Sequence, residues 1–346
     1  LVLDSRLDLS DSQINAAALP EGTLQVSAER GQAMLEGRWR VAGGRAQLRG
    51  TVDSLAQTPS YTVRTTAGGL DLAALAGNDS LAAGVDKLRL TLDGRGDAPS
   101  TLPAGTRLLA RGHVGPLRVD EAALNGRLDT GRLTLDTLMV DSNVLQALGG
   151  GRVALADTGT TSDLSLSAQI NDLRPLRRLV GARTLQIRRG VVETRLYGPV
   201  GEQRFDGTLE LTNLVYDNIR LAGADLTFNG QQGTDQPLSQ ANLRGTLGFL
   251  STGGVAVERT RMDASYDGSG VTVSANTTLD QQHSAELEAR IQPDSAATTV
   301  ALRQLNLRMG PDRWTLQKPT ALTIGTAYSV DSLRLTSGAQ RIAAHG

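Results

Sequence analysis

One short phrase recurs along nearly the whole chain: an alternating strand that closes on glycine. Leu88-Arg89-Leu90-Thr91-Leu92-Asp93-Gly94 is the cleanest copy. Asp225-Leu226-Thr227-Phe228-Asn229-Gly230, Leu305-Asn306-Leu307-Arg308-Met309-Gly310 and Gly207-Thr208-Leu209-Glu210-Leu211-Thr212 repeat it. Successive side chains of a strand point to opposite faces, so each copy has one apolar and one polar face. Roughly two dozen such strands in series predict an all-β chain, an antiparallel sheet with one greasy side. Something must cover that side, and its cover is the route to function.

Composition narrows the options. Aromatic residues make up 3% of the chain, so Leu, Val and Ala line the interior, which suits a thin or open core better than a thick closed one. Basic and acidic residues number 35 and 36 and are interspersed, which argues against nucleic acid as a partner. Cysteine is absent, which removes thiol catalysis and Cys-ligated metals. No apolar run reaches the length of a membrane span. The phrases Leu1-Val2-Leu3 and Leu333-Arg334-Leu335 at the two ends are mid-pattern, so the chain reads as a piece of a longer protein with any membrane anchor outside it.

Turn signals stand at Gly43-Gly44, Gly68-Gly69, Gly149-Gly150-Gly151, Asn229-Gly230, Gly253-Gly254 and Asp267-Gly268, which predicts a meander in chain order. Two segments break the period of two. Asp71 to Gly77 and Asp172 to Gly181 each have an Asp start, helix formers and a Gly stop. Each is followed by a similar strand series, which suggests units of about 1–69, 70–170 and 171–346, the last two opened by a short helix. Asn143 to Gly149 is a third helix candidate.

Motifs for chemistry are sparse. His113, His283 and His345 lie far apart, with no second ligand at helical or strand spacing, so no metal and no cofactor is expected. The Arg95-Gly96-Asp97 tripeptide reads as a turn after a strand. No P-loop, nucleophile elbow or dinucleotide fingerprint is present, and the chain reads as a non-enzyme. Arg174, Arg177, Arg178, Arg183, Arg188 and Arg189 form the densest charge cluster, either a solvated helix face or a contact for phosphate head groups. The alternating strands themselves admit two readings. They build a closed sandwich or solenoid whose faces bury each other, or a groove whose lining stays open for acyl chains. Periodicity does not separate the two.

The end of the chain adds a resemblance. Trp314-Thr315-Leu316-Gln317-Lys318-Pro319, then Leu322 to Ile324, then Leu333-Arg334-Leu335-Thr336-Ser337-Gly338, resembles the TamB family of the AsmA-like group of bacterial envelope proteins. The helix openers at Asp71 and Asp172 are similar to that family's style. The resemblance implies an elongated β-groove (a β-taco) in the periplasm, anchored in the inner membrane. It also implies a TamA-like outer-membrane barrel as partner through a region outside this chain, and a role in moving phospholipid between membranes or assembling outer-membrane proteins.

On this reading the groove lining is Leu88, Leu90, Leu92, Leu133, Leu135, Leu164, Leu166, Leu209, Leu211, Leu226, Phe228, Val271, Val273, Leu305, Leu307, Leu333 and Leu335. The alternative is a scaffold that offers sheet edges to unfolded outer-membrane strands. A surface adhesin ranks below both, because its solenoid predicts polar ladders rather than Leu-lined faces. A one-residue slip would reverse the lining downstream, and Leu135-Asp136-Thr137-Leu138, where the alternation skips, is the expected trouble spot.

Overall fold

The computed structural model describes residues 2–10, 13–14, 17–18, 21–53, 58–72, 74, 82–96, 104–129, 131–155, 161–233, 238–293, 297–324 and 328–346. The chain is nearly all-β. Twenty-eight strands belong to one antiparallel sheet, and Gln13–Ile14 with Ala17–Ala18 make a separate pair. Among the described residues, strand Val2–Leu9 pairs only with Glu21–Glu29, and Gln340–Ala344 only with Leu333–Ser337. The sheet is therefore not closed into a barrel. The chain divides into two compact units, Leu1–Leu176 with Tyr197–Val200, and Arg177–Leu196 with Gly201–Gly346.

Each unit is a meander because its strands are joined by turns too short for a crossover. Arg30-Gly31 and Ala42-Gly43 both have positive φ at the two turn positions (50° and 81°, 45° and 76°). That geometry matches the right-handed twist of the flanking strands and needs glycine at the second position. Asp267 closes another turn with its side chain: Oδ1 accepts from the backbone N of Ser269 and Gly270, both at 3.1 Å.

The glycine signals at Gly149-Gly150-Gly151 and Asn229-Gly230 are not turns. They lie inside strands Leu145–Ala154 and Ile219–Gln231. A Cβ at Gly149 would collide with the Leu166 side chain, and one at Gly151 with the Asp163 carbonyl, so close approach explains these glycines.

The helix candidates shrink. The one at Asn143 is wrong: Asn143 Oδ1 accepts from Arg118 N at 2.9 Å and its Nδ2 donates to Pro116 O at 3.1 Å. The side chain thus ties two loops together instead of capping a helix, and strand Leu145–Ala154 follows. The Asp172 segment forms only a 3₁₀ turn, Arg174–Arg178, with Asp172 Oδ1 accepting from Arg174 N at 2.9 Å. None of its residues is buried; Leu173 and Leu176 are half-buried while Leu179 and Val180 are exposed, so the expected stripe does not pack as one face. At Asp71, Leu72 and Ala74 are helical and Ala74 N donates to Asp71 Oδ1 at 3.3 Å. Residues 73 and 75–77 of that candidate lie outside the described residues.

Candidate functional site

Residues directly opposite in an antiparallel ladder share a face, so the register alone shows which side chains gather. In the first unit one row runs Leu7, Leu24, Gly37, Leu48, Thr65, Leu90, Leu108, Leu124, Leu138, Gly149 and Leu166, each opposite the next. The neighbouring row runs Ser5, Val26, Leu35, Gly50, Val63, Leu92, Thr106, Gly126, Leu135, Gly151 and Leu164. Leu88 and Leu133 alternate with these on the same face. All seven lining residues expected in this unit are brought together.

The second unit is built alike. Leu209, Leu226, Gly245, Met262, Ala275, Leu287 and Leu305 form one row. Gly207, Phe228, Leu243, Ala264, Val273, Ala289 and Leu302 form the next. Leu211 stands opposite Ala224, and Val271 opposite Ile291. Leu307 faces Trp314, and Leu316 on Trp314's strand faces Leu335, which places Leu333 on the face too. All ten residues expected in this unit share it.

No member of these rows is charged, and the charges collect on the reverse side. In strand Arg204–Tyr216, Phe205, Gly207, Leu209 and Leu211 are half-buried while Arg204, Asp206, Thr208 and Glu210 are exposed. Ion pairs such as Arg290–Asp267 (2.8 Å), Arg303–Glu288 (3.6 Å) and Arg244–Asp263 stand on the polar side. The Asp267 carboxyl is held far below the usual carboxylate range, chiefly by Ser269 Oγ and then by the Arg290 guanidinium.

Of the seventeen expected residues only Leu135, Leu164 and Leu335 are buried (6%, 8% and 6% exposed); the others are half-buried. No helix covers the face among the described residues, and a single sheet can shelter its own side chains only by curling toward them. A closed sandwich would bury most of such a face. The apolar face is therefore sheltered but open. Two depressions among the described residues, of about 580 Å³ and about 520 Å³, lie mainly at polar-face side chains instead.

Sequence reasoning missed several members of the face, among them Leu48, Leu108, Leu124, Leu138, Leu243, Leu287 and Leu316. For Leu138 and Leu316 the signal was available, three residues from Leu135 and two from Trp314; the other five stand on strands that carry none of the seventeen expected residues. The three histidines do not converge. His283 Nδ1 is 2.8 Å from Asp280, His113 is 4.0 Å from Asp86, and His345 is exposed. Among the described residues no cluster of three His, Cys, Asp or Glu could hold a metal. In the arginine cluster, Arg174 is engaged by Asp172 at 2.8 Å. No family model, curated protein or solved structure matches the chain.

Proposed function

We propose that the apolar face carries the acyl chains of phospholipid, and that the chain is the groove segment of a TamB-like periplasmic bridge between inner and outer membranes. The observation that supports this reading most is an apolar face in both units, mostly half-buried, that no helix covers among the described residues. Soluble proteins rarely leave a contiguous apolar surface beyond a few hundred Å² in water. Acyl chains satisfy such a face without a specific partner for each residue, whereas head groups stay at the open edge in water. The resemblance around Trp314 supplies the envelope setting and the outer-membrane barrel partner.

The test is lipid extraction from the purified chain beside the double substitution Leu209→Asp/Leu226→Asp. These residues face each other directly in the register. Two carboxylates there remove the apolar surface at one crossing of the groove, because a desolvated ion without a partner costs several kcal/mol. Lipid carried by the parent and lost from a folded variant supports the reading; equal lipid in both contradicts it. A scaffold acting by strand addition is the second reading, favoured by the single ladder partner of strand Val2–Leu9. It predicts that the same substitutions leave client binding unchanged.

A further inference from the structure

The balanced net charge conceals a sorting of charge in the first unit. On the polar face of the three consecutive strands Gln32–Val41, Gly44–Asp53 and Ser60–Gly68, and of Ala83–Arg95 beside them, six of the seven arginines gather: Arg38, Arg40, Arg45, Arg49, Arg64 and Arg89. One row across these strands reads Arg38, Gln47, Thr66, Arg89, and the next Glu36, Arg49, Arg64, Thr91. Strands lie about 4.8 Å apart and same-face residues about 6.8 Å, so the six cations share a field on the order of 15 Å across. Glu36 is the one carboxylate within it, 3.6 Å from Arg49; Glu21, opposite Arg40, and Asp8, in the row of Arg38, stand at its margin and Asp93 one row beyond. The other five arginines have no carboxylate within 4.0 Å among the described residues.

Two details argue against a merely solvated face. Arg49 stands directly opposite Arg64, and Arg40 directly opposite Arg45, an arrangement that destabilises a sheet unless something else answers the charge. The face is also hollowed: a depression of about 580 Å³ is lined by Gln47, Arg49, Gly50, Thr51, Thr62, Arg64 and Thr66, so two guanidinium groups and four hydroxyl or amide side chains surround it. That donor set, without an acceptor of full negative charge, is chemistry for phosphate.

The geometry points to a docking surface for the phosphate head groups of an anionic bilayer. A broad array of cations with no aromatic among them matches a surface of many phosphates better than a single-stranded nucleic acid, whose bases need stacking platforms. Trp39 and Tyr61, the aromatics on these strands, stand on the apolar face. The proposal is independent of acyl-chain binding on that face.

The experiment is sedimentation of the whole chain with vesicles of phosphatidylcholine alone and of phosphatidylcholine with phosphatidylglycerol, at low and high salt. The parent is expected to bind only the anionic vesicles and to be released by salt. Arg49→Gln/Arg64→Gln/Arg89→Gln should reduce the partition constant about a hundredfold or more, from about a factor of five per cation near a surface. Its fold should persist, since one like-charge pair is relieved; circular dichroism verifies this, and Arg64→Gln alone gives a smaller loss if the triple variant fails to fold. Leu209→Asp/Leu226→Asp should bind anionic vesicles like the parent, which separates this surface from the acyl-chain face. Equal binding to neutral vesicles would overturn the proposal. So would unchanged binding by a folded triple variant, release by inorganic phosphate at constant ionic strength, or retention on RNA with none on vesicles.

Discussion

Phe205 and Phe228 cross one hairpin from opposite directions, each lying over a glycine of the other's strand. Phe228 stands opposite Gly207 and Phe205 opposite Gly230, with ring centroids 6.2 Å apart and planes tilted by 50°. A Cβ at Gly207 would stand 2.6 Å from Phe228 Cζ and would also meet the Glu193 carbonyl. Gly207→Ala should therefore destabilise the protein by about 1–3 kcal/mol, the usual cost of overpacking. A urea midpoint equal to the parent's would show that the ring is not nested there. Trp39 repeats the device over Gly22 and Gly37 in the first unit. At the same scale Asp267 sets a pH dependence. Its folded pKa is depressed, so its stabilisation is complete above the ordinary carboxylate value near 4 and is lost as the pH falls below it toward the folded value. Asp267→Asn should lower Tm at pH 7 and weaken its dependence on acid between about pH 5 and pH 2; a Tm curve parallel to the parent's would contradict this.

At the scale of the element, two polar residues between apolar ones mark a bulge that leaves the face unchanged. Leu135 and Leu138 both face the apolar side because the register shifts between them, with Asp136 and Thr137 exposed. Leu302 and Leu305 do the same across Arg303 and Gln304. Leu211 and Leu214 flank Asn213, whose φ is 51°. The feared slip at Leu135 is thus absorbed locally, and the seventeen expected residues share the apolar face of their own unit. Alternation was legible because it is local. The helix at Asn143 was misread because the same residues that cap helices also tie loops, and what decides is a long-range partner, here Pro116 and Arg118; the Asp172 segment starts with the expected local cap and stops after one 3₁₀ turn. Glycines in strands were misread as turns for a similar reason: the neighbour that crowds them sits on another strand. Openness of the face has its own consequence. Leu209→Asp in the lipid-free protein should cost only about 1–2 kcal/mol, the loss of one half-buried leucine. A loss above about 4 kcal/mol would indicate a closed, dry interior.

For the whole molecule, sequence pattern determines which residues face each other within each unit, and the free energy left over sits on one face. Within each unit the sheet has a mostly half-buried apolar side and a polar side that carries the charges. Summed over the chain, 35 basic and 36 acidic residues nearly cancel. Register gathers six of the arginines into one field on strands Gln32–Val41 to Ala83–Arg95, a distribution that no composition reveals. The resemblance around Trp314 and the uncovered face lead to the same proposal by independent routes, one from a phrase of sequence and one from exposure. Native mass spectrometry with lipid extraction, on the chain purified from a bacterial envelope, tests the central claim most directly. Several phospholipid molecules per chain, lost in Leu209→Asp/Leu226→Asp, is the predicted result. A lipid-free soluble monomer would contradict it.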